Sequence, residues 1–206
     1  MANVVPATRA DARLNRERLR NAAREVLKER GFDAEIMEIA ERAGVGAGTV
    51  YRHFASKEAL ILAVGEELNT ATINALAGVQ QVEDAREAIA LTMQIGFRRA
   101  EQYGQFAVAL VAGVEPRQYR QIIDRRALSA FFAHLIRRGI AQGHFRADLD
   151  VEYAVSIWFA LVAPQALSAL MERRSLHEIA AATTEFFLAG LGCDPAGISR
   201  SIRRLD

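Results

Sequence analysis

One cysteine and four prolines in 206 residues close off several kinds of structure at once. A lone Cys193 forms no intramolecular disulfide, so no stapled scaffold holds this chain. Strand-like alternation of apolar and polar residues is absent too, which argues against a sandwich or barrel. The opening MANVVPATRADARLNRER has no apolar stretch ahead of its charges and does not read as a secretory signal, so the expectation is a cytoplasmic protein. Charge of one sign is not in excess. With 26 Lys and Arg against 25 Asp and Glu the net charge is +1, too little to coat nucleic acid or membrane by bulk electrostatics.

Chemistry-bearing motifs are scarce as well. His53, His134, His144 and His177 are scattered without the spacing of a metal site, so no metal is expected. The glycines form no phosphate cradle, and no serine sits in a nucleophile elbow. This composition therefore predicts neither an enzyme nor a cofactor. Cys193 reads as an inert thiol near an apolar helix end. The long uncharged run, Tyr153 to Met171, is about the length that spans a bilayer. It contains Ser156, Pro164, Gln165 and Ser168 and stands alone, so it reads as a helix buried in a core or at a subunit interface.

What the chain does have is apolar residues, 51% of the total, recurring at three and four almost everywhere. That is enough to build a sizeable core in one or two domains, all helical. Leu19, Ala22, Ala23, Val26 and Leu27 stripe a first helix that stops at Gly31. Ile36, Ile39, Ala40 and Ala43 stripe a short second one that ends at Gly44. Val50 and Phe54 are the buried pair of a third. Ser56 caps a long fourth helix. Further helices are expected near 83 to 102, 105 to 113, 116 to 142, 150 to 171 and 176 to 191, and the tail from Cys193 is expected to be loosely held.

Basic charge concentrates at the start. Residues 1 to 30 carry eight basic groups against four acids, whereas residues 61 to 206 sum to −1, so a polyanion contact should be N-terminal. The informative stretch is IMEIAERAGVGAGTVYRHFASKEAL, residues 36 to 60. Two helices that cross through a short turn need a small residue at the contact, a glycine able to take positive φ, and apolar residues on either side. Ala40, Gly44, Val45 and Val50 supply these in the spacing of a DNA-binding helix-turn-helix. If Val50 and Phe54 face the bundle, Gly48 and Arg52 point away from it, Ala47 and Tyr51 lie on one flank, and Thr49 and His53 lie on the other.

With IAERAGVGAGTVYRHFASKEAL, the preceding Arg30-Gly31-Phe32 and the long helix from Ser56, the first 65 or so residues resemble the tetracycline-repressor (TetR-type) family of bacterial transcription regulators. The resemblance implies a homodimer of two-domain subunits. An N-terminal three-helix bundle (1–56) would bind DNA, and a helical domain (57–206) would take a small-molecule effector and pair the subunits. It further implies that Thr49, Tyr51, His53 and Lys57 grip phosphates while Ala47, Gly48 and Arg52 lie near base edges. Many relatives carry a hydroxyl where Gly46 stands and a threonine near Glu35, so both short helices are expected to be weakly capped. With Gly46, Ala47 and Gly48 nearly bare, base reading falls to Arg52, Tyr51 and close backbone approach. Arg13, Arg16 and Arg18 are further candidates for phosphate contact.

The reading that follows is a repressor on a pseudo-palindromic operator of double-stranded DNA, released by its effector. Its dimer seam is expected in Tyr153–Met171 and Leu176–Leu191, with Leu161 and Phe187 inside it. The effector is expected to be mostly apolar, touching Phe106, Leu110, Phe131, Leu135 and Trp158, with Arg117, Tyr119 or His134 as polar anchors. One rival keeps the helix-turn-helix under control of a protein partner; another is a helical protein that binds no DNA.

Overall fold

The structure, a computed structural model, describes residues 9–112, 117–120, 122–161, 170–171, 173–194 and 196–199. Among them are helices and no strand. The helices are α1 (Arg9–Arg30), α2 (Ile36–Ala43), α3 (Ala47–His53), α4 (Lys57–Val79), α5 (Ala85–Ala112), α6 (Arg125–Ala141), α7 (Val151–Leu161) and α8 (Leu176–Gly190). Short 3-10 turns lie at Gly31–Asp33 and Arg117–Tyr119.

Local chemistry accounts for most boundaries. Gly44 takes φ 68° and closes α2, its N–H and that of Val45 returning to Glu41 O and Ala40 O at 3.0 and 2.9 Å. Ser56 Oγ accepts from Ala59 N at 3.2 Å and starts α4, and Ser175 does the same for α8 with Glu178 completing a capping box. The weak cap expected for α2 is corrected. The Glu38 carboxylate accepts from Glu35 N at 3.0 Å, and the Glu35 side chain reciprocates at the Glu38 amide, so a glutamate does the work expected of a threonine.

The break expected at Gly104 is present as a kink, since Ala85–Ala112 is two helical halves that meet where Gly104 alone leaves helical geometry (φ 52°, ψ −134°). Other expectations are revised as well. Helix α6 begins only at Arg125, where the Asp124 carboxylate caps Arg126 N and Ala127 N, both at 3.0 Å. The end of the helix expected over 150 to 171 lies in part, at 162–169, outside the described residues. The expected loose tail holds firmly as far as it is described. Ile198 is buried in the second core, Cys193 is buried beside it, and Gly197 N donates to Asp194 Oδ1. Burial pushes the Cys193 thiol pKa up, against thiolate chemistry. Among the described residues no helix is long and apolar enough to cross a membrane.

Two cores organise the fold. The first joins α1, α2, α3 and the start of α4 to Tyr103, Phe106, Ala107 and Leu110 on the far half of α5, with Tyr119 and Ile122 beyond it. Phe32 links the two parts, packing edge-on to Phe106 (5.3 Å between centroids) and stacking on Tyr119 (4.8 Å). The second core gathers the first half of α5 with α6, α7 and α8 around Phe132, Trp158, Phe159 and Leu188. At its edge the Arg86 guanidinium beside Asp84 holds that carboxyl at about 2.

Candidate functional site

The turn between α2 and α3 places α3 across the bundle, and only part of its surface is used for packing. Val50 is fully buried, Phe54 follows it into the core, and Ala47 packs partly against the same cluster. Gly48, Tyr51 and Arg52 are exposed, while Thr49 and His53 are half-buried on the flank. Tyr51 is 53% exposed despite its large ring, and Arg52 makes no hydrogen bond or ion pair with the described residues. The outward face therefore consists of Gly48, Tyr51 and Arg52, with Ala47 turned further inward than expected.

Gly46 and Gly48 have no packing reason to be glycine. A Cβ on either meets nothing within 4 Å, and neither has positive φ. A glycine inside a helix costs about 1 kcal/mol relative to alanine, and at Gly48 nothing within the chain recovers that cost. Gly46 caps α3 without a side-chain hydrogen bond, so the weak start expected for this helix is present. Both features leave bare backbone on the surface that a groove would meet.

The cations around this face divide into tied and untied. Lys57 Nζ donates to Phe32 O at 3.0 Å, so its ammonium also holds the start of α4 to the turn after α1. Arg16 lies over the Phe54 ring, 5.0 Å from its centroid. Arg13 reaches Glu17 at 4.0 Å, and Arg18 is exposed.

A second feature lies in the C-terminal half, a cavity of about 460 Å³ with largely apolar walls. Phe131 and Trp158 line it. Phe106, Leu110 and Leu135 do not. Phe106 and Leu110 belong to the first core, where Phe106 meets Phe32, and Leu135 is wholly enclosed in the second. The three suggested polar anchors are also elsewhere, since Arg117 and His134 are exposed and Tyr119 is stacked on Phe32. The polar wall groups are instead Asn69, Thr72, Gln80, Thr92, Arg99 and Asp124.

Sequence reasoning missed α4 as a wall. Leu68, Thr72, Ile73 and Leu76 face the cavity from the half of α4 that extends past the bundle. Their spacing of about four residues, in a helix far longer than the bundle needs, was the available signal. Above the wall, Trp158 packs on Phe132 (3.9 Å between centroids) and its indole N–H donates to Met93 Sδ.

The seam residues separate. Leu161 is half-buried against the second core. Phe187 is 4% exposed and belongs to the chain's own second core, whereas the neighbouring Phe186 is 67% exposed. The helical period decides this: Ile179, Thr183 and Phe187 share the inner face of α8, and Phe186 falls on the outer one.

Comparison with known proteins agrees with this layout. The model of the tetR family of bacterial regulatory proteins matches residues 19–64. The chain is 44% identical over 63 residues to the HTH-type transcriptional regulator YvdT of Bacillus subtilis (strain 168), covering 30% of this chain and 32% of that one, so this match spans only about a third of the relative. It is 27% identical over 150 residues to the fatty acid metabolism regulator protein of the same organism, 69% of this chain and 76% of that one. In fold it is similar to the transcriptional regulator FadR of Bacillus subtilis, solved in complex with stearoyl-CoA, with a TM-score of 0.64 at 23% identity over 84% of this chain and 98% of that one. The helix-turn-helix with its outward glycine-rich face and these matches make residues 19–64 a DNA-binding domain of the tetR type, carried on an all-helical fold similar to that of the solved regulators.

Proposed function

We propose that this regulator is a repressor that binds a pseudo-palindromic operator as a homodimer and is released by a mostly apolar small molecule held in the cavity beside Trp158. The observation that carries this reading is the span of α4. The helix starts at Lys57, one turn after α3, and its far half forms a wall of the cavity from Leu68 to Gln80. A molecule that binds one position of that wall better than another shifts α3 by the same preference, because a packed helix moves as a unit. The fatty acid regulator and the stearoyl-CoA complex among the similar proteins favour an effector of this apolar kind. In this reading residues 1–56 present α3 to DNA, and residues 57–206 hold the effector and pair the subunits.

Fluorescence anisotropy with DNA flanking its own gene tests the core of the proposal. Wild-type protein should bind tightly at moderate salt and lose affinity when an apolar ligand occupies the cavity. Arg52→Ala should relax preference at one base pair of each half-site by about 1–3 kcal/mol, since an untied arginine on the outward face is placed to read a guanine edge. Lys57→Ala should weaken all sequences alike and flatten the salt dependence. An unchanged base preference in Arg52→Ala removes that residue from the reading face.

The pairing surface in this proposal is the outer face of α8 around Phe186, joined by the exposed Leu170 and Met171. Phe186→Asp should yield folded monomers in light scattering, with unchanged helix content by circular dichroism. Phe187→Asp should lower stability instead, because it buries an unpaired charge inside one subunit. A Phe186→Asp protein that remains dimeric places the seam elsewhere.

A further inference from the structure

Among the described residues the cavity wall holds one cation, and its partners are neutral. Arg99 projects from α5 into the wall, where Nη1 donates to Gln102 Oε1 at 2.7 Å and Nη2 donates to the main-chain carbonyl of Ala71 on α4 at 3.1 Å. No described carboxylate lies within ion-pair distance of it. Glu67, one turn before Ala71 on α4, is already shared by Arg20 and Arg24 of α1. The acidic wall group, Asp124, is occupied as the cap of α6, accepting from two backbone amides. A half-buried guanidinium bound only to neutral acceptors gains most from an anion, because charge-assisted hydrogen bonds are about twice as strong as neutral ones and a carboxylate accepts two in parallel.

We infer that the effector is an apolar molecule ending in a carboxylate, and that its carboxylate takes the Arg99 guanidinium away from the Ala71 carbonyl. The inference rests on the cavity being the effector site. It adds the chemical class of the ligand and the bond through which the ligand acts. Ala71 lies one turn beyond Glu67, so α1 and α5 hold α4 at consecutive turns, α1 through the arginines on Glu67 and α5 through Arg99 on Ala71. Carboxylate binding opens the second tie and leaves the first. Helix α4 is then free to shift against α5 while still fastened to the DNA-binding bundle.

The test compares dodecanoate with dodecanol, which share a tail and differ in the head group, both kept below micelle-forming concentrations. Binding is read by Trp158 fluorescence, with neutral N-phenylnaphthylamine as a displaceable probe of the cavity. Wild-type protein should bind the acid at least about tenfold more tightly than the alcohol. Arg99→Gln should erase the difference by weakening the acid alone, and Arg99→Lys should retain a preference for it. Without any ligand, Arg99→Gln should already bind operator several-fold more weakly, its tie to Ala71 being gone. Equal affinities in wild type, a preference that survives in Arg99→Gln, or an Arg99→Gln protein with unchanged operator affinity that dodecanoate still releases would each overturn the inference. If the naphthylamine probe binds while the acid shows no preference, the carboxylate assignment falls and the apolar cavity stands. If neither probe nor lipid binds, both fall.

Discussion

Replacing Gly104 with alanine should lower the midpoint of thermal unfolding by about 5 °C or more and loosen the N-terminal helices from α5. Two separate demands meet at this residue. Its backbone, at φ 52° and ψ −134°, is in a region that L side chains rarely adopt, which costs on the order of 1–3 kcal/mol when a side chain is forced into it. A Cβ there would also sit 2.3 Å from the Lys28 carbonyl oxygen and 2.6 Å from Lys28 Cγ. Because the oxygen belongs to the backbone of α1, the clash is relieved only by moving a helix. In a chain of this size each kcal/mol shifts the midpoint by about 2–4 °C. Gly78→Ala is the control, since a Cβ there meets nothing within 4 Å and its φ is not positive, so it should be neutral or slightly stabilising. Equal midpoints for the two variants would show that the α1–α5 contact does not depend on the kink.

The second large effect is expected at Glu67. Its carboxylate accepts from Arg20 at 2.9 Å and from Arg24, with side-chain exposures of 24% for the acid and 37% and 28% for the arginines. Arg24 also lies over the Tyr103 ring, 5.8 Å from its centroid, and both arginines already have a buried Nε without a hydrogen-bond partner. Glu67→Ala leaves two guanidinium groups at a helix junction with no counter-charge. Complete burial of such an orphaned charge costs about 3–5 kcal/mol. With 24–37% of each side chain in water, we expect about 2 kcal/mol, read as a lower urea midpoint at unchanged slope. Glu17→Ala makes the comparison, because it breaks the exposed Arg13–Glu17 pair at 4.0 Å and such pairs contribute less than about 1 kcal/mol. Tyr103 gives a second readout. Burial, and after it the charge of Glu67, pushes the phenol pKa up, so Glu67→Ala should bring its titration to lower pH. If the two glutamate variants lose equal stability, the junction is not held by this cluster.

How much of this was legible beforehand varies from element to element for physical reasons. The stripe of Leu19, Ala23 and Val26, the glycine at 44, the Val50–Phe54 pair and the Ser56 cap are local signals. Each depends on residues within one or two turns, and each reappears where it was expected. The outward placement of Gly48 and Arg52 followed from two buried neighbours and the helical period alone. Phe187 shows the limit of that argument. The period separates it from Phe186, but only packing shows which of the two faces the core, and α8 turned the other one outward.

The sequence by itself determined the all-helical fold, the helix-turn-helix and the side of α3 left free, because these follow from short-range hydrogen bonding and periodicity. Tertiary structure decided the cavity and what reaches it. An apolar side chain at helical spacing looks the same in sequence whether it closes a core or borders a void. Phe106 and Leu135 fill space while Phe131 and Trp158 border it, and the difference depends on how four helices meet. Arg99 was equally invisible. Along the chain it is one more arginine beside Arg98, and only the approach of α4, bringing the Ala71 carbonyl within 3.1 Å, turns one of that adjacent pair into the cavity and leaves the other in water.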